Sequence, residues 1–185
     1  PPSYVIDREE RESWTASTAA ATPQSQIVRR SYAAPTGVGT ASVAVSTPGR
    51  LFAFASRSAE LAAVAMETAR RTGHKPNPGV VRIVSQELAW LELTEPAHPV
   101  ARDPRRMLVI LHRESRFDPT ARNRSSGALG LGQFLPRTGR GFGADPARLR
   151  SGASEDVRYQ CRAIWRLCAE HGWRQWSADP GPTQF

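Results

Sequence analysis

The chain has 185 residues, enough for one compact domain and an arm, and 39% of them are hydrophobic, enough for a core but not for one running the full length. No stretch reaches the roughly 20 consecutive apolar residues that cross a bilayer; the longest apolar-leaning run, 51–66, is broken by Ser56, Arg57, Ser58 and Glu60. Net charge is +8, with Lys75 the single lysine among the cations, and such a field draws polyanions, either nucleic acid or the anionic bacterial wall. The Arg residues are dispersed and form no nucleic-acid-binding motif, which disfavours nucleic acid.

Residues 1–50 are rich in Ala, Ser, Thr, Pro and Gly, as in TASTAAATPQSQ and AAPTGVGTASVAVSTPG. Large apolar residues are scarce, so the segment cannot offset its ordering entropy alone. The expectation is an extended, largely irregular arm, ordered only against a partner. The alternation at 41–46 suits one strand added to another chain. The first residues, PPSYVIDREERESW, lack the basic-then-apolar layout of a secretory signal.

Residues 51–72 read as a helix, with Phe54, Leu61, Val64, Ala65 and Thr68 at helical intervals and Gly73 to stop it. KPNPG (75–79) is a linker. Residues 80–93 read as a second helix, with Val80, Ile83, Val84, Leu88 and Leu91 on one face, ended by Pro96 and Pro99. Asp103 followed by Pro104 is a helix start, an N-cap acceptor ahead of Pro at the first position. That helix runs through Met107, Leu108, Ile110 and Leu111 towards Glu114, and Phe117-Asp118-Pro119 ends it. Residues 120–132 are polar and glycine-rich, a loop leading to a short helix around 130–135. Residues 154–171 are the clearest helix, capped by Ser154 and Gly172, with Val157, Cys161, Ile164, Trp165 and Cys168 as the buried stripe. The two cysteines lie two helical turns apart, roughly 10 Å, too far for a disulfide, and read as buried structural thiols. The fold class is all-α. The division is an arm at 1–50, a helix and linker at 51–77, and a helical domain at 78–185.

Glu114 follows the apolar run MLVIL, so its carboxyl sits at the end of a buried helix. Partial desolvation favours the neutral form, which a general acid needs in order to protonate a glycosidic oxygen. The glycines at 127, 130 and 132 let backbone approach a ligand, and Gln133 offers a donor and an acceptor to an amide or hydroxyl. Singly, each has a bland reading: a solvated surface Glu, a turn Gln.

Together they resemble the lytic transglycosylase family with the goose-type-lysozyme-like fold. Glu114-Ser115, Phe117-Asp118-Pro119, Ala121, Gly127-Ala128, Gly130-Leu131, Gln133 and Pro136 fall in that family's order and spacing. The match is tight over about 113–138 and looser through 154–171 and the Trp173–Trp176 tail. The resemblance implies cleavage of the β-1,4 bond between N-acetylmuramic acid and N-acetylglucosamine in peptidoglycan, with Glu114 as the single acid/base and no metal or cofactor. It implies that Ser115 helps hold Glu114, and that Gln133 with the backbone of Gly130 and Leu131 binds sugar. The resemblance implies an anhydro sugar as product or, with a placed water, a hydrolysed end.

Three departures stand out. The family's Met before the Gln is Gly132. The family's Ser falls near Asn123. The Ala-Tyr-Asn segment, whose Tyr contacts the catalytic site, is absent. Trp173 or Trp176 would fill that space by stacking on sugar, or would simply be core; Tyr159 is a weaker substitute. Asp118 reads as a turn residue, His112 as a packing residue able to tune Glu114, Asp145-Pro146 as another helix start, and Arg137 and Arg140 as solvent-facing or as partners of wall carboxylates. Two settings are consistent with this: a secreted enzyme acting at the bacterial wall, or a phage virion, tail or secretion-machine component, docked through residues 1–50, that carries an accessory muralytic domain. A wall-binding module with a dead site is the third reading.

Overall fold

The computed structural model describes residues 48–181. The arm, its strand at 41–46 and any docking through it therefore lie outside the described residues, apart from 48–50. Those three residues are helical, because Pro48 opens the first helix and fits the first helical turn. The described residues form six α-helices and no β-strand: α1 (Pro48–Arg71), α2 (Pro78–Thr94), α3 (Pro99–Arg102), α4 (Pro104–Ser115), α5 (Pro136–Gly141) and α6 (Ser154–His171). Two 3-10 turns, Arg148–Arg150 and Trp173–Gln175, flank α6. None of the helices is long and apolar enough to cross a membrane.

The compact helical unit begins at Phe52 and takes in α1 from that residue on. Leu61, Ala65 and Ala69 recur every four residues and are fully buried, one stripe of an amphipathic helix. Arg57 fixes α1 to α2 through a two-pronged pair with Glu92, at 2.9 and 2.7 Å. On α2 the five apolar residues expected to share a face are all buried, joined by Val81 and Ala89. Asn77 caps it, accepting from the Gly79 N–H at 2.8 Å.

Pro99 opens α3 rather than only ending what precedes it. The His98 Nδ1 accepts from the Val100 N–H at 3.1 Å, and Pro at the first position lacks the N–H that would go unmet. α6 packs against α2 and α3. Its five expected stripe residues are buried, and both cysteines are free thiols in that core. Ser154 is not its cap. It is the first helical residue, Ala153 takes the cap position with no side-chain bond, and Glu155 and Asp156 face the helix dipole instead. Gly172, at φ 70°, closes α6, a conformation that suits glycine.

The short helix expected around 130–135 is absent. Leu129 bridges both Arg122 and Phe134, so the chain doubles back in a tight hairpin-like turn. A helix there would forfeit the paired bonds between Leu129 and Phe134, at 3.0 and 2.9 Å. The helix comes one step later, as α5, where Pro136 starts it.

Candidate active site

α4 begins as the sequence dictates: the Asp103 carboxylate accepts from the Arg106 N–H at 3.1 Å, and Pro104 follows. Met107, Leu108, Ile110 and Leu111 are fully buried, anchoring the helix in the core. The helix stops abruptly after Ser115. Arg116 and Phe117 are consecutive left-handed residues, at φ 57° and 60°, each carrying backbone strain of order 1 kcal/mol. Burial of the Phe117 ring against His112 holds them there. Asp118 is the turn residue the sequence suggested, accepting from both the N–H and the hydroxyl of Thr120, at 2.8 and 2.6 Å.

Glu114 sits one residue before that stop and is half-buried. Burial raises its carboxyl above the ordinary value, and the backbone N–H of Ala178 pulls it partway back. Ser115 does not hold Glu114. Its hydroxyl is buried and donates to the Leu111 carbonyl one turn back, at 3.0 Å, a bond any helical Ser makes when water is excluded. His112 is turned to α1, with Nε2 3.1 Å from the Thr72 hydroxyl. Burial first, then the cations around it, lower its pKa.

The glycine-rich turn has a different use from the one its sequence suggests. A Cβ on Gly130 would lie 2.5 Å from the Leu149 carbonyl oxygen and 2.6 Å from Gln160 Oε1. One on Gly132 would lie 2.7 Å from the Ile164 side chain. The close approach is thus to protein at both positions. The Leu131 side chain is buried and its N–H donates to Gln160 Oε1 at 2.8 Å, so neither faces a sugar. Gln133, left-handed at φ 48°, donates from Nε2 to the Gly130 carbonyl at 2.9 Å and to the Ala121 carbonyl at 3.4 Å. Asn123, in place of the family's Ser, accepts from the Ser125 and Ser126 N–H groups as a turn residue.

Gln160 is the residue that sequence reasoning passed over. Fully buried on α6, it accepts from Leu131, and its Nε2 donates towards the Pro119, Arg148 and Ser151 carbonyls at 3.0–3.1 Å. It thereby fastens the turn after α4, the glycine loop and the approach to α6 to one another. A signal existed: Gln160 lies three after Val157 and four before Ile164, a polar side chain inside an apolar stripe.

Trp176 is core rather than a sugar platform. It is 5% exposed, and its indole N–H donates to the Gly132 carbonyl at 3.1 Å. Trp173 is partly buried, and the Arg106 guanidinium stacks on its ring, 4.5 Å from the centroid. The Tyr159 oxygen accepts from the Asp145 N–H at 2.8 Å, and the Arg148 guanidinium lies over its ring, 4.1 Å from the centroid. Arg137 lines a cavity of about 330 Å³ with Phe142, Leu167 and His171, of which Glu114 is not part. The Trp176 indole reaches the Gly132 carbonyl, and Ala178, two residues further along the chain, lies against Glu114.

Glu114 is thus a desolvated carboxyl at the abrupt end of a buried helix in an all-helical unit, a setting chemically suited to a general acid. Residues 95–156 match the family model of the Transglycosylase SLT domain, a family of lytic transglycosylases that act on the peptidoglycan of the cell wall. No curated protein and no solved structure matches the chain.

Proposed function

We propose that Glu114 is the single acid/base of peptidoglycan cleavage between N-acetylmuramic acid and N-acetylglucosamine. The carrying observation is its half-buried carboxyl, raised by desolvation, at the left-handed end of α4 inside the matched segment. The neutral acid gives its proton to the glycosidic oxygen as the bond to the muramyl C1 breaks. The muramyl acetamido group assists, so no second carboxylate is required, as in other substrate-assisted glycosidases. The carboxylate then takes the proton of the muramyl 6-hydroxyl as that oxygen closes on C1. The product is a 1,6-anhydro sugar, with no water consumed. Gln133 is the remaining sugar contact: Nε2 is held by its own loop, which orients Oε1 as an acceptor for a sugar hydroxyl or amide.

The test is digestion of purified wall with mass spectrometry of the products. Glu114→Gln is expected to lose activity by at least about a thousandfold, since both proton transfers go, with the helical fold kept. Wall clearing near the wild-type rate by that variant refutes the assignment. Products with reducing ends only, each heavier by one water than the anhydro form, would replace anhydro formation by hydrolysis.

A further inference from the structure

We propose that Asp179, gripped by Arg106, is a positioning residue for Glu114: the pair pins residues 176–181 as a strap across the end of α4, and the strap fixes the setting of the carboxyl. This deepens the acid/base reading of Glu114 and rests on it. The strap lies outside the segment 95–156, so this placement belongs to the chain's own C-terminal tail.

Between Trp176 and Gly181 no residue of the strap is buried, so apolar packing does not set its course. Polar contacts do. Arg106 grips Asp179 with two parallel bonds, Nε to Oδ1 at 2.7 Å and Nη2 to Oδ2 at 2.6 Å. This is the fork geometry that fixes direction as well as distance. The pair is well sheltered, with side chains 13% and 18% exposed. Trp173 backs the guanidinium, and the Gly181 N–H adds a third bond to the Asp179 carboxylate, at 3.0 Å. Arg113 lies seven residues beyond Arg106, two turns along the same face of α4. Its Nη1 donates to the Ala178 carbonyl at 3.1 Å. Holding that carbonyl sets the plane of the peptide whose neighbouring N–H faces Glu114. The strap so lies next to the acid.

A sheltered pair of this kind need add little to stability, so positioning and mere stabilisation are separable. The experiment uses the full chain as wild type, Asp179→Asn, Arg106→Gln, the double variant and Asp179→Glu. Readouts are kcat and KM on glycan strands, the melting temperature, and the titration midpoint of Glu114 followed by carbon NMR. Freeing the strap is expected to lower kcat roughly ten- to a hundredfold while KM stays within about twofold. Loss of the Ala178 N–H raises the Glu114 midpoint and entry of water lowers it; burial is the larger cause, so the midpoint falls towards the ordinary value. The double variant loses no more than either single one, and Asp179→Glu recovers part of the rate. An unchanged kcat and an unmoved midpoint in Asp179→Asn overturn the proposal, as do two single effects that simply multiply. If Glu114→Gln keeps its activity, the acid/base reading falls on its own. The NMR midpoint still decides whether the strap governs the carboxyl.

Discussion

The half-buried carboxyl of Glu114 is held in a state that favours its proton, and that preference has a consequence for folding. A group whose folded-state pKa lies above its unfolded value, about 4.3 for Glu, binds more protons folded than unfolded. Stability therefore declines as pH rises from that value through the raised one, and stays at the lower level above it. Glu114→Gln removes the titration while keeping the shape. The variant should be at least as stable as wild type at pH 7, with its relative advantage fading at pH 3, where both side chains are neutral. Denaturant unfolding at the two pH values checks this. A variant less stable at pH 7 than at pH 3, relative to wild type, would mean that the carboxylate is held by contacts rather than strained by burial. The same residue shows what was legible. Its place at the end of MLVIL, behind the Asp103 cap, follows from local sequence alone, and so does its desolvation. Arg106, Asp179 and Ala178 were not legible, because their bearing on Glu114 depends on a tail more than 60 residues downstream folding back over α4.

At the scale of elements, periodicity revealed the three long helices, and the faces expected on α2 and α6 are the buried ones. It failed at α3 and α5, four and six residues long, where no period can be expressed. It failed also at 129–134, where leucines and a phenylalanine among glycines imitate a helix while the bridge between Leu129 and Phe134 decides the turn. The packing of α2 on α6 includes a polar contact that amphipathic patterning would place outside. Glu87 is 2% exposed and receives Arg158 Nη1 at 2.8 Å and Arg162 Nε at 3.3 Å. Both guanidiniums keep some water, so losing their partner is milder than stranding a fully buried charge. Glu87→Gln is expected to cost about 1–2 kcal/mol, lowering the melting temperature by a few degrees. Glu67, exposed on α1 beside Arg70 and Arg71, is the control, and its Gln variant should melt with wild type. Equal melting of both variants with wild type would show that α2 and α6 hold by apolar packing alone.

At the scale of the whole chain, the +8 charge is unevenly placed. Arg8, Arg11, Arg29 and Arg30 are offset by Asp7, Glu9, Glu10 and Glu12, so residues 1–47 are neutral and the full excess resides in 48–185. A cationic domain acting on a wall that carries anionic polymer gathers at its substrate by long-range attraction, which salt screens as the Debye length falls from about 10 Å at 0.1 M to about 3 Å at 1 M. That attraction should be a property of the helical unit and independent of the low-complexity segment before it. Full-length chain and a chain starting at Pro48, each carrying Glu114→Gln so that the wall stays intact, are expected to sediment with purified sacculi to the same extent at 0.1 M salt. Both should be released to the same extent at 1 M. If removing 1–47 abolishes the salt-sensitive part of the binding, the neutral segment holds the wall contact by some means other than net charge. If neither chain responds to salt, uncharged contacts with the glycan carry the affinity, and the excess of arginine has no part in reaching the wall.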